Sequence, residues 1–271
     1  MDKKEVIMEK LYEQKKNLED MGYNVAYICL FGSQNYDLDL YTDDYKSDFD
    51  MKAIVIPDLD SLVQNSKPIS TKYEYEDGEI DIKDIRVFIE TLTKTNPAYI
   101  ETLYTPYYII DERYSNEINS IISKRDLLIY SFKPLFAKAI YGMMMEKQNA
   151  MTHPYPKTKW KIDKWGFDGK QSSHCIRLAY LMKNYFVDGT NLSASMIPNK
   201  EEKEIIMKHK LNQISSDEAE KDVEHYIQIA NEIKNEVVNL FDIDPTYKNE
   251  IIKYSRDIIK KSIINEVKQN Y

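Results

Sequence analysis

The sequence predicts a mixed α/β unit followed by an all-helical unit, and three observations support this prediction. Short apolar runs alternate with helical spacing in the first 110 residues, which is typical of mixed structure. After residue 110 strand signals nearly vanish and helical spacing dominates. The 271 residues are also enough to bury a sizeable core. We therefore expect an α+β domain over residues 1–110, with a small mixed sheet and flanking helices, and a helical domain over residues 111–271.

The elements of the first unit follow from apolar periodicity and turn residues. The spacing of Val6, Ile7, Leu11 and Leu18 predicts the first helix. Asp77-Gly78 between two strand-like runs predicts a hairpin turn. The predicted order is helix 4–20, strand 25–31, a polar loop or short helix plus loop 34–47, strand 49–56, short helix 58–65, strands 70–76 and 79–85, and helices 85–92 and 97–104.

The second unit is predicted to consist of helices joined by one longer connection. Residues 150–169 contain Pro154, Pro156 and Gly166 and are interpreted as a connecting loop. Trp160 and Trp165 lie in this loop, and we expect them to anchor it onto the core, with base stacking as the alternative. The predicted helices span 113–149, 168–187, 200–211, 216–240 and 246–268.

Composition limits the possible functions. Lys and Arg number 37 against 45 Asp and Glu, so the net charge is -8. This charge argues against a protein that coats nucleic acid over a broad basic face, although a local basic pocket remains open. The charged amino terminus does not resemble a signal peptide, and no apolar run is long enough to span a membrane. The two cysteines occupy unrelated contexts, so we expect no disulfide and a cytoplasmic location.

The informative pattern is a Gly-Ser pair at the end of one strand and two aspartates at the start of the next. These residues are Gly32-Ser33 and Asp48 and Asp50. Because side chains alternate along a strand, the two aspartates share a face, roughly 6–7 Å apart. Paired carboxylates bind divalent cations, the glycine lets backbone approach a phosphate, and the serine offers a hydroxyl and an N–H. Nucleotidyl and phosphoryl transfer need this combination.

Two other Asp-x-Asp pairs have the same sequence pattern but lie in a different predicted structural context. Asp37 and Asp39 lie in the polar loop, whereas Asp58 and Asp60 follow Pro57, where a helix is predicted to begin. Neither pair begins an apolar strand. We interpret both as solvated surface acids.

The segments L-F-G-S and D-F-D-M-K-A-I-V-I, fourteen residues apart, resemble the signature of the DNA polymerase β-like nucleotidyltransferase superfamily. More narrowly, the chain resembles the YcgL-like nucleotidyltransferases. That narrower resemblance depends on the S-D-F-D strand, the segment D-I-R-V-F-I-E-T-L-T-K-T-N-P-A-Y-I-E-T-L-Y at 84–104 and the segment G-K-Q-S-S-H-C-I-R-L at 169–178. It covers residues 25–190 in patches.

The resemblance implies a third carboxylate on a later strand. Asp81 is favoured because Ile80 and Ile82 flank it on a predicted strand. Asp84 is the second choice, since it is also expected to cap the following helix, and Glu79 abuts the turn. Three neighbouring carboxylates would repel one another without a cation, so the cluster predicts Mg²⁺ or Mn²⁺.

Lys170, His174 and Arg177 are a second candidate group. Their spacing places them along one face of a helix, and arginine suits bidentate phosphate contact. Together with the resemblance, this face is predicted to bind the triphosphate of a nucleotide. The alternative, a solvated basic stripe or a histidine satisfied at a domain interface, stays open.

The function implied by the resemblance is transfer of a nucleoside monophosphate from a nucleoside triphosphate (NTP) to a hydroxyl, with release of pyrophosphate. Asp48 and Asp50 would hold two metal ions, Asp81 would complete the site and help activate the acceptor, and Gly32 and Ser33 would hold the β- and γ-phosphates. The leading acceptor is an RNA 3′ end, including that of tRNA. A protein or an aminoglycoside-like hydroxyl is an alternative, as is a non-catalytic nucleotide-binding or toxin–antitoxin module.

Other catalytic motifs are not supported. The sequence contains neither the glycine-rich P-loop pattern nor the G-x-G-x-x-G dinucleotide pattern. The run Ser172-Ser173-His174-Cys175 lacks the strand-turn-helix setting of a nucleophile elbow. His153, His209 and His225 are isolated in the sequence and are interpreted as ordinary residues.

Overall fold

The computed structural model describes residues 2–42 and 45–270. Its strands are β1 (Val25–Leu30), β2 (Tyr41–Thr42), β3 (Tyr45–Lys46), β4 (Met51–Val55), β5 (Ser70–Tyr75), β6 (Gly78–Asp84) and β7 (Tyr108–Ile110). Its α-helices are α1 (Lys3–Asp20), α2 (Leu59–Val63), α3 (Ile85–Thr93), α4 (Pro97–Ile100), α5 (Ser115–Ser123), α6 (Arg125–Ser131), α7 (Lys133–Thr152), α8 (Lys159–Trp165), α9 (Gly169–Met182), α10 (Leu192–Ser195), α11 (Lys200–Lys210), α12 (Ser216–Leu240) and α13 (Thr246–Asn270).

The main sheet has five strands in the order β5-β6-β4-β1-β7. Strands β4 and β6 run parallel, whereas the other neighbouring pairs are antiparallel. The register of the parallel pair places Lys52 beside Asp81 and Val55 beside Asp84. The α+β fold class with a small mixed sheet is therefore confirmed.

One face of this sheet is apolar and packs against α1. The buried side chains Ile7 and Leu11 of α1 belong to the same core as Leu30, Met51 and Ile80. The alternate residues of β4 and β6, which include Lys52 and Asp81, point to the opposite face. Period-two alternation therefore separates an apolar face from a face that carries Lys52 and Asp81, and the second face contains the candidate site.

The chain forms two compact units. The first consists of residues Met1–Asn35, Asp39–Ser131 and Asp244–Tyr271, and it contains the five-stranded sheet with α1–α6 and α13. The second consists of Tyr36–Leu38 and Phe132–Ile243, and it contains α7–α12. Among the helices of residues 2–42 and 45–270, none is both long and apolar enough to cross a bilayer.

Several local predictions differ from the structure. The predicted loop 150–169 contains helix α8, and the polar segment 34–47 contains the short strands β2 and β3. Strand β4 begins at Met51, so Asp48 and Asp50 lie just before it and not within it. The hairpin turn is Glu76-Asp77, one residue earlier than predicted. Gly78 is instead the first residue of β6. A glycine is required there because the backbone of Phe49 lies too close for a Cβ atom.

Replacing Gly78 by alanine is expected to destabilise the first unit. A Cβ at this position would lie 2.6 Å from the backbone oxygen of Phe49, so a strand would have to shift. Overpacking of this kind costs about 1–3 kcal/mol. Urea unfolding of Gly78→Ala measures the loss in free energy of unfolding. Gly142→Ala is the matched control, since nothing lies within 4 Å of its Cβ and alanine favours a helix. Equal stabilities of the two variants would contradict the close approach.

Candidate functional site

The Gly-Ser turn after β1 lies directly beside Asp50. The Phe31 N–H donates to the Asp50 carbonyl at 2.8 Å, which continues the pairing of β1 with the segment before β4. Gly32 has φ +92°, a left-handed conformation that glycine adopts without strain. A Cβ on Gly32 would lie 3.6 Å from the Asp50 Oδ2. The glycine therefore both makes the turn and leaves space next to the carboxylate.

The turn is also tied to Asp48. A 3₁₀ helix from Ser33 to Tyr36 follows the glycine, and the side chain of Gln34 donates to the Asp48 carbonyl at 3.1 Å. Asn35 donates back to the Leu30 carbonyl at 2.8 Å, which closes the turn onto the end of β1. These side-chain bonds hold the Gly-Ser backbone against the aspartate segment.

Asp48 and Asp50 alternate with buried apolar residues, as predicted. Asp48 is exposed and Asp50 half-buried, whereas Phe49 and Met51 belong to the apolar core. Although the regular strand begins only at Met51, the backbone of Phe49 is still paired, since its N–H donates to the Asp77 carbonyl at 2.9 Å. Both carboxylates therefore lie on the polar side of the same extended segment.

Asp81 is bound by a buried lysine. The Lys52 Nζ lies 2.8 Å from the Asp81 Oδ2, and the Tyr99 hydroxyl donates to the same oxygen at 2.6 Å. The Lys83 Nζ lies 3.0 Å from the Oδ1. Burial alone would raise the pKa of Asp81, but Lys52, Tyr99 and Lys83 together lower it to about 2. Asp81 is consequently an anion at neutral pH, and its charge is neutralised by Lys52 and Lys83.

Lys52 is the residue that the sequence interpretation missed. It is 6% exposed and lies one position beyond Met51, on the side of the strand that bears Asp50. Its ammonium lies 4.5 Å from the centre of the Phe31 ring and 4.2 Å from that of Tyr99. A lysine inside an apolar strand run was the available signal, because a buried ammonium requires a partner. Its partner could not be read without the β4–β6 register.

The other two candidates for the third carboxylate have different partners. Asp84 caps α3 through the Arg86 N–H and makes two hydrogen bonds to the Arg86 guanidinium, which confirms the predicted capping role. It lies beside Val55, at the far end of β4 from Asp50, where a cavity of about 300 Å³ opens. Glu79 forms an ion pair with Lys72 of β5.

The donor chemistry of Asp48 and Asp50 fits a hard divalent cation. Carboxylate oxygens are preferred ligands of Mg²⁺ and Mn²⁺, and the absent side chain of Gly32 leaves room beside Asp50. Among residues 2–42 and 45–270, however, no three His, Cys, Asp or Glu side chains are grouped to hold a metal ion. The metal-binding roles of Asp48, Asp50 and Asp81 stay predictions.

The predicted basic face lies on α9 in the second unit. Lys170 is exposed, His174 half-buried and Arg177 buried. The Arg177 Nη2 lies 3.0 Å from the His174 Nε2, and the guanidinium lies 4.1 Å from the centre of the Tyr36 ring. Burial, Arg177, Lys147 and Lys170 together hold the pKa of His174 well below its ordinary value. A neutral histidine among three cations is an arrangement suited to an anion.

His209 is not isolated in the fold. Its ring lies 3.2 Å from the Ser172 hydroxyl and 3.2 Å from the Asp222 carboxylate, which joins α9, α11 and α12. This combination resembles a catalytic triad in residue type, but Ser172 has no exposed surface. The contacts stabilise helix packing, and the rejection of an acyl-transfer site here agrees with the burial of the serine.

Asp58 of the second Asp-x-Asp pair caps α2, in agreement with the helix start predicted there.

Comparisons with known proteins do not assign a family. No protein-family model and no curated protein matches the chain. Among solved structures, a nucleotidyltransferase-like protein from Exiguobacterium sibiricum 255-15 matches with 9% identity and a TM-score of 0.30. The match covers 94% of this chain and 80% of that chain. Neither the identity nor the TM-score is high enough to establish a shared family.

Proposed function

We propose that this protein transfers a nucleoside monophosphate from an NTP to a hydroxyl acceptor and releases pyrophosphate. The observation that supports this proposal is the contact of the Gly32-Ser33 turn with the two-aspartate segment before β4. Phosphate-binding backbone and cation-binding carboxylates are thereby neighbours in one unit. The resemblance of the same residues to the DNA polymerase β-like signature adds to it.

Each group has a distinct role in this proposal. The Gly32 and Ser33 backbone and the Ser33 hydroxyl bind the β- and γ-phosphates. Asp48 and Asp50 bind Mg²⁺ or Mn²⁺, which when bound neutralises the triphosphate and stabilises the charge that develops on the leaving pyrophosphate. Lys170, His174 and Arg177 form a second phosphate-binding group, on α9. His174 is neutral at pH 7, and its Nδ1–H can donate to an anion because its Nε2 accepts from Arg177.

Asp81 has a different proposed role from the base implied by the family resemblance. With a pKa of about 2 it takes up a proton poorly near neutral pH. Its ion pair instead holds the Lys52 ammonium beside Phe31, next to the Gly-Ser turn. We propose that Asp81 positions Lys52 and that Lys52 adds positive charge to the nucleotide-binding face.

Thermal unfolding with nucleotides tests the proposal without an acceptor. With ATP, CTP, GTP and UTP, each with and without Mg²⁺, we expect one nucleotide to raise the melting temperature by about 5 °C in the presence of Mg²⁺. The reason is that a ligand present at 100 times its Kd raises the free energy of unfolding by about 2.7 kcal/mol. Asp50→Asn should abolish the shift.

The matched control is Asp60→Asn, which changes the same residue type in the Asp58-Leu59-Asp60 segment and should keep the shift. A shift that survives in Asp50→Asn would contradict the proposed metal site. No shift with any nucleotide, in a protein that also releases no pyrophosphate with mixed acceptors, would contradict the proposed function.

A further inference from the structure

A basic and aromatic segment lies on the surface of the second unit. Residues 153–170 contain five lysines and two aspartates, so their net charge is +3 in a chain of net charge -8. The segment also contains Tyr155 and both tryptophans of the protein, Trp160 and Trp165. We call residues 153–170 the aromatic–lysine ridge. Such a concentration of one sign attracts an anionic partner.

Two aromatic side chains of the ridge, Trp160 and Tyr155, are exposed, and each packs against a neighbouring ring. Trp160 is 56% exposed, and its ring centre lies 5.4 Å from that of Trp165. Tyr155 is 50% exposed and packs on His153 at 4.3 Å between ring centres. Single exposed aromatic side chains are common on protein surfaces, but a group of them between lysines forms a candidate binding surface. The expectation that Trp160 anchors its segment onto the core is therefore not met.

Two internal ion pairs neutralise part of the charge of the ridge and leave a positive surplus. Lys161 binds the buried Asp168, which caps α9, and Lys159 binds Asp163 one turn away. The ammonium of Lys164 lies 4.5 Å from the centre of the Trp165 ring. In the part of the chain that the structure describes, neither Lys164 nor Lys170 has an ion pair. Positive charge is therefore presented next to an aromatic surface.

We infer that the aromatic–lysine ridge binds single-stranded nucleic acid, with unpaired bases stacked on Trp160 and Tyr155 and a phosphate near Lys164. Aromatic faces stack on unpaired bases with little sequence preference, and adjacent lysines bind the backbone. A duplex hides its base faces, so it offers only its phosphates to this surface.

A membrane surface fits the ridge less well. Helix α8 has only seven residues, and four of them are charged. An interfacial helix needs a continuous apolar face that can enter the lipid, and α8 has no such stripe. Flat, exposed rings between lysines match a stacked base better than an acyl chain.

In the proposed reaction the bound strand is the hydroxyl acceptor, and this assignment rests on the proposed function. The binding step does not, since it needs neither NTP nor Mg²⁺. Binding and transfer can therefore be tested separately on the full chain.

Intrinsic tryptophan fluorescence tests the binding step, because both tryptophans lie in the ridge. We expect 12-nucleotide oligo(U) or oligo(dT) to quench the emission, and a matched duplex to bind at least tenfold more weakly. The comparison of oligo(U) with oligo(dT) shows whether the ridge prefers RNA or DNA.

Fluorescence anisotropy of a labelled strand measures the effect of substitutions in the ridge. Trp160→Ala should weaken binding about tenfold, whereas Trp160→Phe should retain most of it. Lys164→Gln should reduce the slope of log K against log salt by about 0.7.

Two controls separate this result from general effects. Tyr12→Ala removes another exposed aromatic, on α1, and should leave binding unchanged. Asp50→Asn should bind strands like the unmodified protein, so failure of the proposed transfer would leave strand binding intact. The inference is overturned if neither single strand quenches at low salt, if a duplex binds equally well, or if only phosphatidylserine vesicles change the emission.

Discussion

Asp50→Asn is expected to reduce pyrophosphate release by about 100- to 1000-fold, the range found when a group that stabilises transition-state charge is removed. Asparagine keeps the shape of the side chain but loses the charge that a cation requires. Asp50 also borders the Gly32 turn, so the substitution acts where phosphate and carboxylate meet. The measurement is pyrophosphate release with the nucleotide that gives the thermal shift and with RNA, protein and aminoglycoside acceptors.

The double variant Asp48→Asn/Asp50→Asn sets the background of this assay, and Asp60→Asn is the matched control that should retain full activity. Unfolding curves of all variants exclude a loss caused by misfolding. If the unmodified protein released no more pyrophosphate than the double variant with every acceptor class, a non-catalytic nucleotide-binding module would be the better description.

Lys52→Met is expected to lower the free energy of unfolding by about 3 kcal/mol, because it leaves the partly buried Asp81 carboxylate without its main partner. Methionine preserves the unbranched apolar stem, so the loss reports on charge more than on volume. Lys83→Met is the matched control. Lys83 also contacts Asp81 but is more exposed, with 19% of its side chain accessible against 7% for Lys52, so we expect a smaller loss.

The same ion pair predicts a pH dependence. The pKa of Asp81 is about 2 in the folded protein, below the ordinary value near 3.9. A lowered carboxyl pKa contributes stability above the unfolded pKa, and that stability is lost as the pH falls toward the folded pKa. The contribution is on the order of 2 kcal/mol, and it is lost as the pH falls from about 5 to about 2.

Urea unfolding over this pH range, for the unmodified protein and for Asp81→Asn, measures that contribution. The stability difference between them should shrink as the pH falls. A difference that stays constant from pH 7 to pH 3 would show that Asp81 is not held as an anion by Lys52. In the double variant Lys52→Met/Asp81→Asn part of the lost stability should return, since neither charge is then buried alone.

Local chemistry accounts for the parts of the fold that were predicted well. The helix over 216–240 was predicted with the bounds that the structure has, because its apolar stripe lies within the segment and its capping residue Ser215 lies directly before it. The cap at Asp84 and the glycine turn at Gly32 are equally local. The alternation of Asp48 and Asp50 with Phe49 and Met51 follows from the period of an extended chain.

Contacts between residues distant in sequence account for what was missed. Gly78 was predicted as a turn residue. A glycine is instead required there because the backbone of Phe49 leaves no room for a Cβ atom. Asp81 and Lys52 are 29 positions apart, and only the parallel pairing of β4 with β6 makes them partners. A lysine within an apolar strand indicates that its ammonium needs an anionic partner when buried. Which residue is that partner depends on the register of the neighbouring strands. The pattern of residues thus predicted the α+β fold class and the alternation of the aspartate segment, whereas packing determined which charges neutralise one another.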